Sequence, residues 1–276
     1  MICAIIPAKG LSYRLPRKNV KQFCGKPLLA WTLIQTKYSL IDETFVSTDD
    51  DEIAQICEQY GATVHWREHE GESDGDIAGS VPQFFLRKWI YENRADVDMM
   101  VHMFCTSPLR RPGDIDAAIR MCRRERLRTN LVCLRYDTFI HRIIARRHVV
   151  QFLADKNYSY ADPLTGFSVV PAELDRVNIA NEAQAYRGEW WKGEKRAKLE
   201  DPKVFQSTMV FTEEKDAPIW AFVECEPWQI VEIDYEYQFD VAEYYMQKYI
   251  LKDGEDVYER YYTEHYGKAK TPVSLD

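Results

Sequence analysis

The sequence IIPAKGLSYRLPRKN, residues 5 to 19, decides the fold of this chain. The apolar run from Cys3 to Pro7 predicts a buried strand that ends at the proline. The loop after it carries only positive charges, at Lys9, Arg14, Arg17, Lys18, Lys21 and Lys26. The first acidic residue is Asp42, although the whole chain has a formal net charge of −8. A solvated basic loop is the simpler alternative. However, ligands of open α/β sheets bind at the carboxyl ends of strands, so the cluster favours a site for a small polyphosphate.

Strands and helices alternate through the first half of the chain. Helical patterns cover residues 27–39, 51–60, 80–93 and 114–124, and strand patterns cover residues 44–47, 63–66, 98–104 and 130–135. This alternation predicts a doubly wound, mostly parallel Rossmann-like α/β sheet.

The pattern weakens over residues 137–220 and returns with a predicted strand at 228–234 and a predicted helix at 237–250. We therefore expect one domain over residues 1–276, with residues 137–220 inserted as a dimerisation or sugar-binding segment. The charged residues after Lys252 are predicted to be peripheral.

Composition narrows the class of protein. The seven cysteines are scattered singly and show no metal-binding spacing, which predicts reduced thiols and a cytoplasmic location. No apolar run is long enough to span a bilayer, so no membrane partner is expected. A pI near 5.4 argues against a general nucleic-acid surface.

A pair of carboxylates lies in the sequence Val231-Glu232-Ile233-Asp234. If this stretch is a strand, Glu232 and Asp234 project from the same face. Mg²⁺ accepts one or two carboxylates and completes its shell with phosphate oxygens, so the pair predicts a metal site. The alternative is that Asp234 caps the following helix and that Glu232 is solvated.

A second acidic group, Asp49 to Asp51, resembles the metal-binding DxD of glycosyltransferases. It stands directly before a predicted helix, where Asp is a preferred cap. Helix capping is therefore the favoured interpretation.

These motifs together resemble the cytidylyltransferases that activate acidic sugars, above all the N-acylneuraminate and 3-deoxy-octulosonate enzymes. The first motif matches the family's opening signature, and it continues with Gly25-Lys26-Pro27-Leu28-Leu29. Further matches are Val46 to Asp50, Arg67 before Ser73-Asp74, Thr106 to Arg110, and Ile233-Asp234.

The resemblance implies a Mg²⁺-dependent transfer of CMP from CTP to an acidic keto sugar, carried out by a homodimer. The sugar could be of the sialic, legionaminic, pseudaminic or octulosonic acid type. The resemblance implies that Lys18 and Asp234 are catalytic and that Asp234 holds the metal, and the carboxylate pair adds Glu232 to the predicted metal site. It implies a nucleotide-binding set of Ala8, Lys9, Ser12, Arg14, Asn19 and Arg67.

Two other hypotheses stay open at this point. A GT-A-like glycosyltransferase would use Asp49 to Asp51 for its metal and would bind a finished nucleotide sugar. A non-catalytic relative would bind nucleotide without transferring it.

Overall fold

A computed structural model describes residues 1–67, 80–124, 129–134, 167–172, 176 and 220–267. Its strands are β1 (Ile2–Pro7), β2 (Gln22–Phe23), β3 (Lys26–Pro27), β4 (Glu43–Thr48), β5 (Thr63–Trp66), β6 (Met99–Met103), β7 (Thr129–Leu134), β8 (Phe167–Pro171) and β9 (Trp220–Cys225). Its α-helices are α1 (Leu28–Lys37), α2 (Asp51–Gln59), α3 (Ser80–Asn93), α4 (Asp114–Arg124), α5 (Glu236–Tyr245) and α6 (Val257–Tyr266). None of these helices is both long and apolar enough to cross a membrane.

Seven strands form one sheet in the order β5-β4-β1-β6-β8-β7-β9. Strand β1 runs parallel to both of its neighbours, β4 and β6. Strand β8 is antiparallel to β6 and β7, while β9 runs parallel to β7. The predicted doubly wound, mostly parallel sheet is therefore confirmed.

Strand β1 is buried on both faces, as its unbroken apolar sequence predicts. Ile6 packs with residues of α1, α2 and α4 on one side of the sheet, and Ile5 packs with α3 on the other. Helices on both faces follow from this alternation, because successive side chains of a strand point in opposite directions.

The range 137–220 is not wholly separate from the sheet, because β8 falls inside it. Nearly all the rest of the range lies outside the described residues. Its role in dimerisation or sugar binding stays a prediction.

The predicted strand at 228–234 is wrong. Pro227–Ile230 forms a 3₁₀ helix, and the last strand of the sheet is β9. Pro227 has a fixed φ and no backbone N–H, so it begins a helical turn more readily than a ladder. Gln229 is buried, and its Nε2 donates to the Leu109 carbonyl at 2.9 Å. The alternation of apolar and polar residues here reflects this packing rather than strand pairing.

The prediction of a peripheral tail fails at one residue, Tyr258. Helix α6 packs against the core, and Tyr258 is only 2% exposed within a cluster that includes Trp31, Phe23 and Phe239. Composition alone did not reveal Tyr258 as an anchor, because most residues around it in the tail are charged or polar.

Candidate active site

The loop after β1 packs tightly against the turn between β4 and α2. The backbone N–H of Ala8 donates to the Ser47 carbonyl at 2.9 Å, and that of Gly10 donates to Asp49 Oδ1 at 2.8 Å. A Cβ atom on Gly10 would lie 2.3 Å from Asp50 Oδ2, so only glycine allows this approach. The turn thereby fixes the start of the basic loop.

Asp50 is the N-cap of α2, and its side chain accepts from the Ile53 N–H at 3.1 Å. It also pairs with Arg17, whose φ of 58° places it in the left-handed region. The capping interpretation of Asp49 to Asp51 is confirmed for Asp50. Across the residues that the structure describes, no group of three or more metal-ligating side chains is found.

Several cations of the basic loop are opposed by acids from distant parts of the chain. Arg17 also pairs with Glu52, and Lys21 pairs with Glu236. Lys26 Nζ lies 2.6 Å from Glu255 Oε2. The cluster that looks unopposed along the sequence is thus partly neutralised in space.

Lys18 and Asp234 meet at the carboxyl end of β1. Lys18 Nζ lies 2.9 Å from Asp234 Oδ1 and donates to the Ile233 carbonyl at 2.8 Å. Arg14 Nη1 lies 2.8 Å from the other carboxylate oxygen, Oδ2. The Lys18 side chain is 14% exposed and that of Arg14 is 60% exposed, so the lysine is held and the arginine faces solvent.

Lys9 and Arg67 add positive charge to the same place. The pKa of Lys9 is lowered, first by burial and then by repulsion from Arg67 and Lys18. Arg67 is anchored on Ser47, through Nε to Oγ at 3.3 Å and Nη2 to the carbonyl at 3.2 Å. Cations that repel one another in this way gain stability when an anion binds between them.

The hydroxyl of Ser12 is buried and lacks a hydrogen-bond partner in the described structure. A buried polar atom without a partner costs about 1–3 kcal/mol, so such an atom in a basic loop suits a ligand-binding role. Asn19 is different, because its amide already has protein partners. Its Nδ2 donates to the Lys9 carbonyl at 2.8 Å, and its Oδ1 accepts from Cys105 Sγ at 3.1 Å.

Two carboxylates are the candidates for holding a Mg²⁺ ion. Each carboxylate oxygen of Asp234 pairs with one cation, Oδ1 with Lys18 and Oδ2 with Arg14, and keeps a further lone pair. Glu232, two residues earlier, is exposed. Such an ion needs one or two carboxylates besides phosphate oxygens and water. Asp234 and Glu232 are the residues that could supply them.

The sequence pattern gave no role to Arg110, which the structure shows to be completely buried. Its Nη2 donates to the Phe104 carbonyl at 2.7 Å, and its Nη1 donates to Gln35 Oε1 at 2.9 Å. Burial lowers the pKa of Arg110 to about 10. The available signal was the place of Arg110 at the end of the Thr106 to Arg110 match, where Arg111 follows it directly and nothing in the sequence says which arginine is buried.

The family of the chain follows from its sequence. The family model described as cytidylyltransferase matches residues 3–256. This chain belongs to the cytidylyltransferase family. Ser73 and Asp74, which form part of the family resemblance, lie outside the described residues.

Relatives within the family have acidic sugars in their names. The N-acylneuraminate cytidylyltransferase of Oncorhynchus mykiss is 28% identical over 248 residues, which are 88% of this chain and 49% of that protein. The CMP-N,N'-diacetyllegionaminic acid synthase of Legionella pneumophila is 34% identical over 123 residues, 44% of this chain and 52% of that protein. The chain thus spans about half the length of these two curated relatives.

Solved structures show the same fold. CMP:2-keto-3-deoxy-manno-octonic acid synthetase complexed with CTP matches with a TM-score of 0.55 and 14% identity, over 90% of this chain and 98% of that one. A cytidylyltransferase from Leptospira borgpetersenii matches with a TM-score of 0.55 and 15% identity, over 99% of this chain and 98% of that one.

Proposed function

We propose that this protein transfers CMP from CTP to the anomeric hydroxyl of an acidic keto sugar and releases pyrophosphate. The observation that carries the proposal is the contact between Lys18 and Asp234 at the end of β1, beside the cations Lys9, Arg14 and Arg67. These groups would supply the counter-charge that a bound triphosphate needs.

The chemistry asks little covalent work of the protein. The sugar hydroxyl oxygen forms a bond to the α-phosphorus, and the bond from that phosphorus to the bridging oxygen breaks. Pyrophosphate leaves with that oxygen, and the hydroxyl proton passes to solvent water. Lys9 and Lys18 would neutralise the charge that develops on the phosphates, while the Ser12 hydroxyl would donate a hydrogen bond to a phosphate oxygen. Arg14 and Arg67 would orient the nucleotide from either side.

We propose Mg²⁺ as the cofactor, held by Asp234 together with Glu232. When bound, it would shield the negative charge of the triphosphate. The segment before α5 positions Asp234 for this role. Ile233 is buried, which holds the neighbouring Asp234 against Lys18 of the basic loop.

The acceptor is proposed to be a sialic, legionaminic, pseudaminic or octulosonic acid, as the names of the relatives suggest. A cytoplasmic homodimer is the proposed form of the protein. Support for the reducing location comes from the buried free thiols Cys3, Cys24, Cys57 and Cys105.

A pyrophosphate-release assay tests this function. The purified protein receives Mg²⁺, each of the four nucleoside triphosphates, and a panel of the four sugar-acid types. We expect release with CTP and at least one sugar acid. The Lys18→Ala variant should lose on the order of 100-fold in rate, because it removes a charged donor. Lys21→Ala is the matched control, since Lys21 pairs with Glu236 instead.

Two outcomes would contradict the proposal. If pyrophosphate is released with another nucleoside triphosphate and not with CTP, the assignment of cytosine as the base is wrong. Tight CTP binding without release from any sugar acid would identify a non-catalytic nucleotide-binding relative.

A further inference from the structure

The 104–110 loop, which joins β6 to α4, contacts the carboxylate side of the site. The carbonyl of Thr106 accepts from the Ile233 N–H at 2.8 Å. The Ile233 carbonyl in turn accepts from Lys18 Nζ at 2.8 Å. A shift of the loop at Thr106 would therefore move the Lys18–Asp234 pair.

The same loop also contacts the phosphate side of the site. Cys105 Sγ donates to Asn19 Oδ1 at 3.1 Å, and Asn19 Nδ2 donates to the Lys9 carbonyl at 2.8 Å. Adjacent residues of one loop thus support both halves of the reaction centre.

Three buried side chains hold the 104–110 loop in shape. Arg110 Nη2 donates to the Phe104 carbonyl at 2.7 Å, which ties the two ends of the loop together. The Tyr258 hydroxyl, from α6, donates to the Arg110 carbonyl at 2.5 Å. Gln35 accepts from Arg110 and donates to the Pro108 carbonyl at 2.7 Å, and its Nε2 also reaches Tyr258 at 3.0 Å. The side chains of Arg110, Tyr258 and Gln35 are all buried, so water competes little for their hydrogen bonds.

We propose that Arg110 and Tyr258 are positioning residues, which fix the separation of Lys18, Asp234 and Lys9 through the 104–110 loop. The hydrogen bonds described above join both residues to the 104–110 loop. The inference rests on the proposed function, because it assigns these residues to the same reaction. It also gives helix α6 a part in catalysis from the far side of the core.

Tyr258→Phe tests the inference, because it removes one hydroxyl and leaves the ring in place. Tyr266→Phe is the matched control on the same helix. The Tyr266 hydroxyl donates to Asp116 at 2.7 Å, and Asp116 supports the Leu40 N–H rather than the 104–110 loop. Each variant should lower Tm by about 2 to 4 °C. Tyr258→Phe should lower kcat about 10- to 100-fold, since small displacements at a reaction centre are costly.

Two further measurements separate positioning from general stability. The first measurement is the kcat of the double variant Tyr258→Phe/Lys18→Ala. It should lie within about twofold of the kcat of Lys18→Ala alone, because the effects of coupled residues are not additive. The second is CTP affinity by calorimetry, which Tyr258→Phe should weaken several-fold and Tyr266→Phe should leave within about twofold. The calorimetry needs no sugar acid, so it decides the inference even if no transfer is found and the proposed function fails.

Equal effects of Tyr258→Phe and Tyr266→Phe on kcat and CTP affinity would overturn the positioning role. A full Tyr258→Phe penalty that persists in the Lys18→Ala background would overturn it as well.

Discussion

Neutralising Asp234 should strengthen nucleotide binding while it stops the reaction. In Asp234→Asn the side chain keeps its shape and loses its negative charge. Lys18 and Arg14, which each lie within 2.9 Å of that carboxylate, are then left without their counter-ion. Their charge becomes available to an incoming triphosphate.

The size of the effect follows from Coulomb's law. For a phosphate charge at about 6 Å from the lost carboxylate and an effective dielectric constant of about 40, repulsion amounts to about 1.4 kcal/mol. Removing it corresponds to about tenfold tighter binding of CTP in the absence of Mg²⁺. Pyrophosphate release should fall by about 100-fold or more, because the proposed metal ligand is gone.

The assay is calorimetric titration of CTP into the metal-free variant at fixed ionic strength. Glu236→Gln serves as the control, because it also removes one carboxylate of this region but one that pairs with the exposed end of Lys21. The gain in affinity should diminish as salt is raised, since exposed charges are screened. Unchanged or weaker CTP binding by Asp234→Asn, or an equal gain in Glu236→Gln, would refute the assigned electrostatics.

Three other outcomes are expected. Gly10→Ala should lower the free energy of unfolding by about 1–3 kcal/mol, because its methyl group displaces the Asp50 cap, and Asp50→Gly should restore most of the loss in thermal melts. The pKa of Lys9 is lowered in the free protein, and a bound anion should raise it again. CTP binding at alkaline pH should therefore take up protons, which calorimetry detects as a binding enthalpy that depends on the buffer. Lys9→Met should abolish this dependence. Burial raises the pKa of Cys24 and Cys57 to about 12, so mass spectrometry should find both unalkylated by iodoacetamide at pH 8 until the protein is unfolded; rapid labelling of the native protein would contradict this.

Local pattern was sufficient for the first half of the fold. The apolar run of β1 and the helical patterns of α3 and α4 lead directly to the observed elements, because the apolar positions of each pattern are the ones that the fold buries. The position of β8 could not be found this way. It is an antiparallel strand that enters the sheet from a long intervening segment, and its partners are set by tertiary contacts alone.

The candidate site was only half visible in the sequence. The basic loop and Asp234 could be identified because charge and motif coincide there. The counter-ions of Arg17, Lys21 and Lys26 could not, since an ion pair between distant residues leaves no local signal. Tyr258 was hidden for the same reason, as its hydroxyl is paired with a residue 148 positions away.

Asp234 lies 216 positions after Lys18, so the two partners of this ion pair are synthesised at different times. At a synthesis rate of about 5 to 20 residues per second, the basic loop emerges from the ribosome about 10 to 40 seconds before its carboxylate partner. During that interval, Lys18, Lys21 and Lys26 all lack acids that arrive only with the final segment. Docking of that segment is therefore the step that changes an open cationic loop, attractive to any polyanion, into a site with a balanced charge.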